Sequence, residues 1–144
     1  FRGIHVMCTI NALCLDSLDQ LLDCIVDWKL KYGREAISFT LNILRFPSFQ
    51  SPLVLPDHLR TKYRDQLADF MARHKGSSYL QEHEWNHLSR LINYLDVVKT
   101  PHSDAFEMPK LLNDFRQFYT QYDQRRGKDF GASFPKLKEW YNEL

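Results

Sequence analysis

The sequence predicts a mixed α/β fold: two parallel strands around one helix, forming part of a (β/α) barrel, then a helical carboxyl-terminal region. Three observations carry this. Residues 3–11 and 36–44 are short runs rich in β-branched residues, separated by an amphipathic stretch of helical length. Beyond residue 56 every periodic segment repeats at helical spacing. Both strands alternate between an oily and a polar face, whereas a parallel sheet covered by helices on both sides is apolar on both.

The first strand, "GIHVMCTIN", places Ile4, Val6, Cys8 and Ile10 on one face and His5, Met7, Thr9 and Asn11 on the other. Asp16 or Ser17 is suited to cap a helix through about Tyr32, which Gly33 ends. Leu18, Leu21, Leu22, Ile25, Val26 and Trp28 give that helix its apolar stripe. In the second strand, "AISFTLNIL", Ile37, Phe39, Leu41 and Ile43 oppose Ser38, Thr40 and Asn42. A strand, a helix and a strand in this order form a βαβ unit with parallel strands. Its oily face should take helices, and its polar face should line a ligand-holding lumen or simply meet water. Two strands cannot close a barrel or stand alone, so others must complete the sheet. A chain that opens at Phe1 with a strand almost at once reads as a piece of a longer protein.

Leu44 to Pro56 is a non-repeating connection of thirteen residues, with three prolines and two phenylalanines. So long an irregular segment in a compact domain usually has a task. Four helices should follow. One starts at Pro56 or Asp57 and uses Leu59, Tyr63, Leu67, Phe70 and Met71. The next carries Trp85, Leu88, Leu91, Ile92 and Leu95 until Thr100–Pro101 stops it. A third spans "MPKLLNDFRQFYTQYDQRR" before Gly127, and a short last one covers about 134–142. The organisation expected is residues 1–56 as barrel and 57–144 as a helical extension packed on it.

Composition narrows the function classes. Of 144 residues 44% are hydrophobic and 14% aromatic, which is globular, and a formal charge of +1 gives no electrostatic case for nucleic acid or an anionic membrane. No apolar run reaches membrane-spanning length. Cys8, Cys14 and Cys24, an odd number, read as reduced thiols, with a cytoplasmic location expected. In βα barrels chemistry sits where strands end. That position selects Thr9, Asn11 and Asn42 for cofactor binding, each with a local turn or cap role as the alternative. The connection after the second strand adds Arg45, Phe46 and Phe49 as a substrate-side wall, or else a packed crossover.

"CTINAL" at the first strand end, "LNILRFPSF" with "VLP" after the second, and the tail "YDQRRGKDFGASFPKLKEWY" carry a resemblance. Together they resemble the late barrel and end of radical S-adenosylmethionine proteins with a twitch-like carboxyl-terminal extension. The resemblance implies a partial (β/α)6 barrel that binds a [4Fe–4S] cluster and S-adenosylmethionine. It further implies hydrogen abstraction from a substrate by a 5′-deoxyadenosyl radical. The family's CxxxCxxC is absent, since five and nine residues separate the three cysteines. The chain alone is then expected to be inactive, its partner being the missing amino-terminal part of the same protein.

Two other readings stand beside this one. "HEWNH", residues 83–87, fits the H-E-x-x-H of zinc hydrolases, where His83 and His87 would bind metal and Glu84 would activate water. The third ligand would be Glu107 or His102. The motif falls at a helix start, which favours a solvated first turn with no stoichiometric zinc. A non-catalytic helical interaction module is the other alternative, docking through Phe115, Phe118, Tyr119 and Tyr122. Arg125, Arg126 and Lys128 form a basic cluster at a helix end, which the helix dipole explains equally well.

Overall fold

The computed structural model describes residues 3–96 and 107–144. Strands β1 (Ile4–Ile10) and β2 (Ile37–Ile43) pair in parallel, from Ile4 opposite Ile37 to Ile10 opposite Ile43. Helix α1 (Leu15–Tyr32) connects them. The βαβ unit is therefore present. Among the described residues the sheet has these two strands alone.

Helix α1 starts differently from the sequence expectation. Asn11 makes the turn: its Oδ1 accepts from the Leu13 and Cys14 amides at 2.9 and 3.2 Å. Asp16 and Ser17 consequently lie inside the first turn. Asp16 instead pairs with Lys136 at 3.1 Å. The helix ends at Gly33, whose φ of 108° a side chain would resist. Its buried stripe is Leu15, Leu18, Leu22, Ile25, Val26 and Lys29. Leu21 and Trp28, assigned to the stripe by spacing, stay partly in solvent because the packed face turns toward Lys29.

Lys29 lies among these apolar residues because three acceptors meet it there. Its ammonium donates to Arg34 O at 3.1 Å and Ile37 O at 2.7 Å, and pairs with Glu84 Oε1 at 2.9 Å. Those partners use all three of its hydrogens. Glu84 belongs to α3 (Glu82–Leu95). It also accepts from the Gln81 amide at 2.8 Å, closing the start of α3, and from the Phe39 amide at 3.1 Å. Both side chains are 0% exposed. One buried ion pair thus ties α1, β2 and α3 together.

Helix α3 lies along the edge of β2 that faces away from β1. Beyond Glu84 on Phe39, His87 Nδ1 accepts from the Leu41 amide at 2.9 Å, and Arg90 donates to Leu41 O at 2.8 Å. Residues three apart on the helix meet alternate residues of the strand. Side chains therefore do the work of a missing third strand.

Helix α2 (Asp57–Arg73) buries Leu59, Tyr63, Leu67 and Phe70, and α3 buries Leu88, Leu91 and Leu95. These form one hydrophobic cluster with Phe39, Leu41, Leu22 and Ile25. The sequence expectation that α3 runs on to Thr100–Pro101 lies outside the described residues beyond Asp96. Helix α4 (Met108–Arg126) ends at Gly127, left-handed at φ 59°. The helix expected at 134–142 is instead a 3₁₀ turn, Pro135–Leu137, followed by the shorter α6 (Lys138–Glu143), and a one-turn helix not expected from sequence, α5 (Phe130–Ser133), precedes them. Phe134 precedes a proline, which disfavours helical geometry there, and its φ is −129°. Phe115 anchors this region against Phe130, Trp140 and Tyr141.

Replacing Lys29 by methionine should destabilise the fold by about 3–5 kcal/mol, because it leaves the Glu84 carboxylate buried without its cation. Urea unfolding of the variant beside the parent chain measures this. A loss below about 1 kcal/mol would contradict a fully buried, structurally essential pair.

Candidate functional site

Three places hold the residues selected from the sequence: the polar face of the sheet, the strand ends with the segment that follows, and the H-E-x-x-H turn. On the polar face, His5, Met7, Thr9 and Asn42 are exposed, while Ser38 and Thr40 are half-buried. His5 organises it, with Nδ1 2.6 Å from Ser38 Oγ and Nε2 3.2 Å from Thr40 Oγ1. Sequence reading placed His5 on this face but gave it no role. The bridge needs the strand register, which puts His5 opposite Ser38.

Beyond the strands the expected residues separate. Thr9 and Asn42 are register partners on the open polar face. Asn11 makes the turn described above, the local role weighed against ligand binding. After β2, two short 3₁₀ turns, Ser48–Gln50 and Pro52–Val54, fold the connection down. Leu53, Val54 and Leu55 are buried, and Ser51 Oγ lies 2.9 Å from the Tyr94 hydroxyl. Phe49 packs on Phe118 with ring centroids 5.4 Å apart, so it is committed to α4. Arg45 stacks over Tyr94 at 5.5 Å. Phe46, 84% exposed, remains free for an outside partner. The three residues therefore do not converge on one wall.

The segment does help form a cleft. Gln50 O accepts from the Ala12 amide at 3.1 Å, which joins the two strand ends. Between this junction and α4–α5 lies a space of about 500 Å³ bordered by Asn11, Gln50, Phe118, Tyr122, Lys128 and Phe134. Ligands of open α/β sheets bind outside the carboxyl ends of the strands, which is where this cleft lies. Tyr119, on the same border, has its phenol pushed up to about 12 by burial and then by Tyr122, so it stays neutral. Long-range packing brings these groups together. Neither Gln50 nor Phe134 stands out by sequence pattern.

The H-E-x-x-H residues have other employment. Glu84 is sealed between Lys29, Phe39 and Gln81, so its carboxylate is not free to activate water. His87 is half-buried rather than in solvent. Its Nδ1 lies 2.9 Å from the Leu41 amide nitrogen and 3.2 Å from Leu41 O, so this ring nitrogen is engaged with β2. The His83 and His87 rings lie 6.4 Å apart. Among the described residues no group of three histidines, cysteines or carboxylates is placed to hold a metal. Glu107 is exposed, and His102 lies outside the described residues.

The cysteines do not fit a [4Fe–4S] cluster. Cys8 is in β1, Cys14 is in the turn before α1, and Cys24 is exposed on α1. The Cys14 thiol is held by the Asn11 backbone, with Asn11 N 3.3 Å and Asn11 O 3.4 Å from Sγ. Burial pushes the Cys8 and Cys14 thiols up. Compared with protein-family models, curated proteins and solved structures, the chain matches none.

His87→Ala should cost about 1–2 kcal/mol by leaving the Leu41 amide unpaired. Its loss should be the same with and without chelator, and the parent chain should gain no thermal stability from equimolar zinc. Stoichiometric zinc that disappears in this variant would instead make the metal-site reading correct.

Proposed function

We propose that this chain is the carboxyl-terminal part of a radical S-adenosylmethionine enzyme. It contributes two strands of a partial (β/α) barrel, the segment after the second strand, and a helical extension. The observation that carries this reading is the asymmetry of the sheet. The outer edge of β2 is closed by α3, while β1 has no strand on its outer edge among the described residues. The ladder pairs Ile4 N with Ala36 O and Ile10 O with Leu44 N, so the backbone groups of His5, Met7 and Thr9 point outward from the sheet. Beside that open edge an apolar groove of about 590 Å³ is lined by Ile4, Val6, Trp28, Tyr32 and Ile37. Tyr32 is 63% exposed there.

A preceding strand–helix unit with right-handed crossover would lay its strand on β1 and its helix in this groove beside α1. The bare polar face of β1 and β2 would then line the lumen of a barrel. His5, Thr9, Ser38, Thr40 and Asn42 would project into it, with the substrate still to be identified. The cysteines of this chain supply no cluster, so the CxxxCxxC belongs to the preceding part and residues 1–144 are inactive alone.

The test is the whole polypeptide. The reading frame ahead of residue 1 should encode strand–helix units and a CxxxCxxC. That protein, loaded anaerobically with iron and sulfide, should bind S-adenosylmethionine and release 5′-deoxyadenosine on reduction. Residues 1–144 should do neither. A preceding frame without strand–helix units and without the cysteine triplet would overturn the proposal.

A further inference from the structure

The cleft at the strand ends has its own chemistry, independent of the barrel reading. Its walls include two rings one turn apart on α4, Phe118 and Tyr122, which are 42% and 46% exposed. Phe118 is buttressed by Phe49 at 5.4 Å and, edge-on, by Tyr119 at 5.0 Å. Its ring is therefore held in place although partly uncovered, the condition under which a flat ligand stacks with little loss of side-chain entropy.

The polar border offers donors at Asn11, Gln50 and Lys128. Asn11 Oδ1 is engaged by the Leu13 and Cys14 amides, which fixes the orientation of its amide and leaves its NH₂ as the available group. Among the described residues the Gln50 side chain and the Lys128 ammonium have no hydrogen-bond or ion-pair partner. The one carboxylate on the border, Asp123, already accepts from the Phe130 amide at 2.8 Å through Oδ2. Arg125 and Arg126 follow in the last turn of α4, before Gly127 and Lys128. A volume of about 500 Å³ suits a small molecule of one or two rings.

We propose that this cleft binds a flat aromatic carboxylate, its ring against Phe118 and Tyr122 and its carboxylate toward Lys128 and the Asn11 and Gln50 amides. Stacking alone would accept any ring, and the ammonium alone would accept any anion. The combination selects both features in one molecule.

Titrating quinoline-2-carboxylate into the full 144-residue chain, followed by amide NMR shifts, tests this. The expected result is saturable shifts centred on Asn11, Gln50, Tyr122 and Lys128, with quinoline and cyclohexanecarboxylate each binding more weakly. Lys128→Gln and Tyr122→Ala should each weaken binding about fivefold or more, by removing one recognition element. Both residues are exposed, so thermal unfolding of the variants should match the parent and a lost site would not reflect a lost fold. Shifts that map elsewhere, fail to saturate, or persist unchanged in both variants would overturn the proposal. So would equal binding of cyclohexanecarboxylate. Neither outcome bears on S-adenosylmethionine cleavage by the whole polypeptide, so the two proposals fail separately.

Discussion

The Lys29–Glu84 pair is the constraint on which the rest of the structure depends. Burying two charges costs several kcal/mol each unless they are paired and their remaining hydrogen-bonding capacity is used. Here both conditions are met, through Arg34 O, Ile37 O, the Gln81 amide and the Phe39 amide. Each extra partner belongs to an element that must be positioned: the turn after α1, the edge of β2, and the first turn of α3. An apolar pair could bury as much surface without fixing the register of α3 along β2. With Glu84 placed, the next turns of α3 bring His87 and Arg90 to Leu41.

That register has a functional consequence. A bare strand edge invites pairing with any extended chain, and proteins cover, charge or shorten such edges. Among the described residues β2 is covered by side chains of α3 and β1 has no strand on its outer edge, so the free edge of the sheet lies on one side. The same side carries the apolar groove, and the polar face runs across both strands. The proposed partial barrel, continued through β1, would account for the open edge, the groove and the polar face together. The cleft at the strand ends lies apart from this edge, in the junction of Asn11 and Gln50 with α4 and α5. The proposed ligand cleft and the strand edge proposed to complete the sheet are therefore different surfaces.

Much of the local structure was legible in the sequence because it is periodic. Alternation in "HVMCTI" and "SFTLNI" set the faces of the strands, and the apolar spacings of α2 and α3 agree with their buried sides. What escaped depends on contacts between distant residues. Lys29 continues the spacing of Leu22, Ile25 and Val26, so a lysine on an apolar stripe was a signal that its position must be satisfied from outside the helix. Glu84 sat inside a short motif whose metal chemistry drew attention, while its partner lay 55 positions earlier on α1. Trp28 and Leu21 were assigned to the core by period alone, whereas the groove beside the open edge leaves Trp28 partly uncovered. Of the candidate site, Asn11 was readable by position. Gln50, Phe118 and Lys128 became neighbours through folding of the segment after β2, which has no repeat to read.

Residue-resolved amide hydrogen exchange tests the central claim most directly, that side chains of α3 close one edge of the sheet while the other stays open. The Phe39 and Leu41 amides, donated to Glu84 and His87, should exchange slowly, near the rate set by global unfolding. The His5, Met7 and Thr9 amides in the neighbouring strand should exchange orders of magnitude faster. Equal protection on both strands, or rapid exchange at Phe39 and Leu41, would contradict the account.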